Sequence, residues 1–224
     1  MKRFHFFLKR VFDIMASAGV LIVLTVIPVL IIIPIIIRLT SKGPAFYKQI
    51  RIGKNGKPFM LYKFRTMIVE QYDAEGKEIM SEQRITKVGR FLRKTSLDEL
   101  PQLFNVLNGT MSIVGPRPML DYQAPRCIGD EKLRFEMRPG LTGYAQVQGR
   151  NNIRWEERIQ YDIQYIKNFT FFMDIKIIAQ TVLLVFKKDG TDVKPEYRGT
   201  DRFSKHYIPE ENKQEQEGEA SEIL

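Results

Sequence analysis

The 224-residue sequence predicts an α/β fold that is mostly helical: an N-terminal re-entrant membrane helix–break–helix, then a cytoplasmic domain with a small β-hairpin and interfacial amphipathic helices. Three observations carry this. Residues 14–37 form an almost unbroken apolar run with Pro28 near its middle. Residues 45–65 hold two strand-like runs around a glycine-bearing loop. Residues 153–186 repeat apolar side chains at helical spacing.

The first run has the length to cross a bilayer, which takes about 20 helical residues. Its flanks argue for a return to the starting side. Lys2, Arg3, Lys9 and Arg10 precede it, and Arg38, Lys42, Lys48, Arg51, Lys54 and Lys57 follow it, so both ends favour the cytoplasm. Pro28 removes one helical hydrogen bond and marks the break, Pro34 is a second weak point, and Thr25 is a nearby hydroxyl for a freed carbonyl. A proline-kinked single crossing is the competing reading. The organisation expected is a hairpin over residues 1–42, a domain over 43–208 and an acidic, disordered tail over 209–224.

After the hairpin, Ala45 to Ile52 and Pro58 to Arg65 flank Gly53-Lys-Asn-Gly56, a β-hairpin pattern. Lys63 and Arg65 alternate with Tyr62 and Phe64, giving one cationic face, for which solvation is the plain explanation. A polar loop over residues 71–81 and a basic helix over 83–93 lead to Ser96-Leu-Asp98-Glu99. Ser96 and Glu99 have capping-box spacing, and Leu97, Leu100, Leu103, Phe104 and Leu107 form a stripe that Asn108-Gly109 ends. Pro101 conflicts with a helix starting at Ser96. Asp98 and Glu99 are either a solvated first turn or two carboxylates held at a positive helix end.

Arg117 lies between Pro116 and Pro118, which leaves its backbone little freedom, and Arg138 and Arg150 sit in further Pro- and Gly-rich turns. Guanidinium groups on preset loops suit bidentate phosphate binding as well as ordinary surface turns. Residues 153–168 read as an amphipathic helix. Residues 169–186, interrupted by Asp174 and Lys176, read as a helix lying either in a membrane interface or in a core.

The formal charge is +9, but residues 209–224 carry a net −5, leaving +14 on the rest. Such a body implies an anionic partner: phosphate ligand, acidic lipid or nucleic acid. Nucleic acid is disfavoured because the aromatics follow apolar stripes instead of forming a stacking platform. One cysteine, Cys127, rules out an intrachain disulfide, and with two histidines it argues against a zinc site. A hard cation on carboxylate and phosphate oxygens stays open.

The ordered set Lys9-Arg10-Val-Phe-Asp13, Tyr62-Lys-Phe-Arg-Thr-Met67, Thr95-Ser-Leu-Asp-Glu-Leu-Pro-Gln-Leu103, Ser112-Ile-Val-Gly-Pro-Arg-Pro118, Arg138-Pro-Gly140 and Thr142-Gly-Tyr-Ala-Gln-Val-Gln-Gly-Arg-Asn151 resembles the bacterial sugar transferases known as monotopic phosphoglycosyl transferases, in their small form. The likeness covers about residues 7 to 190. It implies transfer of a sugar 1-phosphate from a UDP-sugar to undecaprenyl phosphate at the cytoplasmic face of the bacterial inner membrane. UMP is released and a surface glycan begun for later glycosyltransferases. It implies Asp98 as nucleophile, through a covalent intermediate, and Glu99 as ligand of Mg²⁺, with membrane lipid as a further partner. Arg93, Arg117, Arg150, Lys63 and Arg65 are the candidate phosphate-binding cations. Two departures stand out: Ile27-Pro28 where the family often has Ser-Pro, and Tyr144 and Gln148 in the Thr-Gly-Trp-Ala-Gln-Val-Asn pattern. A membrane-anchored pyrophosphate phosphohydrolase and a non-catalytic anchored module are the alternatives.

Overall fold

The computed structural model describes residues 2–26, 28–73, 75–80, 82–149, 153–187 and 202–203. The acidic tail and Arg150 lie outside the described residues. The fold is mostly helical, with two small sheets.

Helix α1 (Lys2–Val26) and helix α2 (Val29–Thr40) meet at Pro28 with a 62° bend. Pro28 lacks a donor but uses its carbonyl, which accepts from Ile31 N at 3.1 Å and Ile32 N at 2.8 Å and so starts α2. The Thr25 hydroxyl donates to Leu21 O at 2.8 Å, one turn back on α1. Pro34 does not break α2, which runs on through it. Among the described residues no single helix is long and apolar enough to cross a membrane, while the bent pair passes that test together. Helix α2 buries Ile33 and Ile37 against Ala45, Phe64 and Leu92, and leaves Ile31, Ile32, Ile35, Ile36 and Leu39 outward.

Strands β1 (Phe46–Ile52) and β2 (Pro58–Phe64) pair antiparallel, Phe46 opposite Phe64, as their alternation predicts. Asn55 (φ 57°) and Gly56 (φ 71°) take the left-handed backbone that closes the loop. Helix α3 (Lys87–Thr95) starts later than expected because Thr86 is its cap, accepting from Gly89 N at 2.8 Å. Gly89 is pressed on the chain after β2: a Cβ there would lie 1.9 Å from Thr66 O.

The capping box at Ser96 does not form. Ser96 ends α3 in the left-handed region, φ 57°, and its side chain caps nothing. Residues Leu97–Glu99 make a single 3₁₀ turn, and helix α4 (Gln102–Leu107) begins only after Pro101. Pro101 decides this, because an α-helix from Ser96 would need the N–H it lacks. Phe104 is half exposed, so the expected apolar stripe is narrower than its sequence suggests.

Beyond α4, strands β3 (Ser112–Val114) and β4 (Gly140–Thr142) form a short parallel pair. Helices α5 (Tyr144–Gly149), α6 (Trp155–Lys167) and α7 (Phe171–Lys187) close the domain. Helix α7 turns Ile177 into the core with Val114, Met137, Tyr165 and Phe169, and leaves Phe172 and Leu183 outward. It is therefore a surface helix with an apolar outer face, not a fully buried one.

Buried charge ties α1 to this domain. Lys9 Nζ donates to Asp174 Oδ2 at 2.6 Å and to Val114 O at 2.8 Å, and Tyr165 Oη donates to Asp174 Oδ1 at 2.6 Å. Asp13 accepts from Ser112 Oγ at 2.7 Å and Ile113 N at 3.0 Å. Arg10 donates to the carbonyls of Val106 and Leu107, filling the open end of α4. Residues 9–13 are thus as much part of the domain as of the hairpin.

Candidate active site

The site is built where three chain segments converge on the 3₁₀ turn. That turn buries Asp98 to 8% exposure and sets Glu99 beside it. From β2, Lys63 Nζ reaches Glu99 Oε1 at 2.6 Å. From the turn after β3, Arg117 Nη2 stands 3.8 Å from the same oxygen. From α3, Arg93 donates through Nε to Thr66 Oγ1 at 2.9 Å and adds its charge at Asp98.

Electrostatics separates the two carboxyl groups. Burial pushes Asp98 up to about 6, aided by the neighbouring Glu99 charge and opposed by Lys63, Arg93 and a backbone hydrogen bond. Burial also disfavours charge on Glu99, yet Lys63 and Arg117 together outweigh it and hold that carboxyl below the usual range. At neutral pH both are ionised. Asp98 is the more basic and less solvated, which makes it the better nucleophile of the pair.

Arg117 is aimed by its backbone. The carbonyls of Pro116, Arg117 and Pro118 accept, in turn, from Gly140 N at 2.9 Å, Arg134 Nη2 at 2.9 Å and Arg51 Nη1 at 3.1 Å. Three consecutive carbonyls are therefore held while the Arg117 side chain stays 38% exposed. Glycines allow the approach: a Cβ on Gly140 would sit 2.1 Å from Gly115 N. Arg134 is itself buried on Asp162 at 2.8 Å, and burial lifts Asp162 to about 6.

The structure brings together Lys63, Arg93, Asp98, Glu99 and Arg117. It sends Arg65 elsewhere: its guanidinium donates to the carbonyls of Ser41 and Lys42 and to Ser41 Oγ, clasping the end of α2. Pro28 sits at the bend, and Arg150 lies outside the described residues. Sequence reasoning missed three contributors. Arg51 belongs to the site, lowered to about 10 by burial and then by the Arg117 charge; only its alternation along β1 hinted at it. Gln102 is buried one turn beyond Glu99, and its side-chain donor helps hold the Glu99 carboxyl low. Arg134 gave no local signal.

No three His, Cys, Asp or Glu side chains converge among the described residues. Glu99, with Asp98 adjacent, fits the mode in which Mg²⁺ is held by one or two carboxylates and completed by substrate phosphates and water.

A desolvated carboxylate ringed by fixed cations defines an enzyme site for handling phosphate esters. The chain belongs to the bacterial sugar transferase family, which matches residues 4–188. It is 46% identical over 183 residues to the uncharacterized sugar transferase EpsL of Bacillus subtilis, covering 82% of this chain and 89% of that one. It is 41% identical over 210 residues to the undecaprenyl-phosphate galactose phosphotransferase of Salmonella typhimurium, covering 84% of this chain and 42% of that one. It is 42% identical over 188 residues to the UDP-glucose:undecaprenyl-phosphate glucose-1-phosphate transferase of Escherichia coli, covering 80% and 40%. The chain thus spans about four-tenths of the two phosphotransferases.

Proposed function

We propose that the chain is a phosphoglycosyl transferase that moves a sugar 1-phosphate from a UDP-sugar to undecaprenyl phosphate in two displacements at Asp98. In the first, an Asp98 carboxylate oxygen attacks the sugar-bearing phosphorus, the bond to the bridging pyrophosphate oxygen breaks, and UMP leaves with that oxygen. In the second, a phosphate oxygen of the lipid attacks the same phosphorus, the acyl–phosphate bond breaks, and Asp98 is restored as a carboxylate. Two separate displacements avoid bringing two crowded anions together at once.

The observation that carries this reading is the split between the two carboxyl groups: a buried Asp98 lifted to about 6 beside a Glu99 held low by Lys63 and Arg117. Lys63, Arg93 and Arg117 offset charge on the transferring phosphoryl oxygens, and Gln102 supplies a neutral donor beside Glu99. Glu99 would hold Mg²⁺ together with substrate phosphates; the ion would offset pyrophosphate charge and ease departure of UMP. The bent helix pair, with cations on both flanks, supports a re-entrant hairpin that keeps the site at the cytoplasmic face, where the lipid acceptor lies.

The test is UMP release from detergent-solubilised protein with Mg²⁺, undecaprenyl phosphate and a panel of UDP-sugars, beside Asp98→Asn. Release that needs the lipid, occurs for one or two sugars and is lost in the variant is the expected result. Release without the lipid would make the protein a hydrolase and overturn the transfer.

A further inference from the structure

At the far end of α4 from Asp98 lies a second cationic hollow, about 120 Å³ in volume, between α1, the β1–β2 loop and the start of β4. Phe6, Lys9, Arg10 and Asp13 line it from α1, Lys54 from the loop, and Ser112, Met137 and Arg138 from the domain. One water needs roughly 10–15 Å³ of such space, so a phosphate group with attached atoms fits.

Charge in this cavity is unbalanced. Its one carboxylate, Asp13, is already taken by Ser112 Oγ and Ile113 N, and Lys9 by Asp174. Arg10 and Arg138 face each other closely enough that, after burial, the Arg138 charge is what most depresses the Arg10 guanidinium. Among the described residues Arg138 uses only Nε, on Gly109 O at 2.7 Å. Arg10, Arg138 and Lys54 have no ion pair among the described residues, and Lys54 is exposed at the mouth. Arg10 spends both Nη groups on the Val106 and Leu107 carbonyls and contributes its charge. The Arg138 Nη pair and the Lys54 ammonium supply the donors, making an anion site of the kind phosphate fills bidentately.

The rim points to where the anion comes from. Phe6, 43% exposed, lies on the cavity wall and against Phe169 at 4.7 Å between ring centres. The same helix leaves Phe4, Phe7, Val11, Ile14 and Met15 outward, the start of the surface that continues into the apolar hairpin. A polar, positive hollow beside an apolar surface matches a headgroup with its acyl chains. We propose that this cavity binds the headgroup phosphate of an acidic phospholipid, a site separate from the Asp98 centre. The inference rests on the hairpin lying at a bilayer, not on the transfer chemistry.

The experiment counts lipids retained by the detergent-solubilised protein in native mass spectrometry, with phosphatidylglycerol and phosphatidylcholine of matched chains. Both carry a phosphate, but the choline cation meets the cavity's own charge. Wild type is expected to retain one phosphatidylglycerol at about tenfold lower lipid concentration than phosphatidylcholine, a difference of about 1.4 kcal/mol. Lys54→Glu, at an exposed loop position, should abolish that preference, whereas Lys57→Glu on the same loop but outside the cavity should leave it. Equal retention of both lipids, or a preference that survives Lys54→Glu, would overturn the site. Retention of inorganic phosphate at this site with no phosphatidylglycerol retained would overturn the lipid source and leave a site for soluble phosphate.

Discussion

Replacing Asp98 by Asn should abolish turnover and at the same time stabilise the protein. The folded-state carboxyl is lifted from its ordinary 3.8 to about 6 by burial, so the folded chain holds the Asp98 proton more tightly than the unfolded one. For an acid shifted this way, stability is greatest below about pH 4, falls as pH rises through about 6, and stays low above that. A rise of about two units, at about 1.4 kcal/mol each, makes the ionised Asp98 cost about 3 kcal/mol at pH 8. Asn has nearly the same shape and no charge to desolvate. For a chain of this size about 2–4 °C accompanies each kcal/mol, so the variant should melt roughly 6–12 °C higher at pH 8. At pH 4 the two proteins should melt together. Thermal unfolding in detergent across that range, beside UMP release, makes the measurement. Equal melting at pH 8, or a gain that persists at pH 4, would refute the claim that burial of charge is what readies Asp98.

Lys63→Met removes the cation that most lowers Asp98 and pairs with Glu99, and with side chains about one-fifth exposed the loss is about 1–2 kcal/mol. The acid limb of kcat/KM should move up by about one unit from near 6, and a limb that stays put would detach Lys63 from the carboxylates. Lys9→Met strands the buried Asp174 carboxylate and should cost about 3–5 kcal/mol, read as a lowered melting temperature that Lys9→Arg does not restore fully. Arg117→Lys loses the planar fork and should raise KM for the sugar nucleotide; wild-type turnover would remove Arg117 from phosphate handling. Cysteines placed before residue 14 and after residue 37, in a Cys127→Ser background, should be labelled from one side of the membrane, and labelling from opposite sides would end the re-entrant reading.

What the sequence made legible was local. The β-hairpin, the break at Pro28 and the stop at Gly109 each depend on residues within a few positions, and each is where its pattern places it. The Ser96 cap failed for an equally local reason whose weight was visible but not its direction: Pro101 delays the helix, and α3 runs on until Ser96 turns it. Arg65 looked like a ligand because it follows Lys63 on the same strand face, yet its carbonyl partners lie 23 and 24 residues earlier. The pair β3 and β4 is three residues a strand, too short for alternation to register. Asp13, the one acid before Glu70, was the only sequence hint of the buried brace.

That brace has a consequence for how the protein is made. Lys9 emerges from the ribosome 165 residues before Asp174, and Asp13 99 residues before Ser112. Both charges must therefore stay hydrated until partners synthesised far later arrive. A chain that ends before Asp174 leaves the Lys9 ammonium without its carboxylate against the Val114 carbonyl, so the brace between α1 and β3 is complete only once α7 has begun.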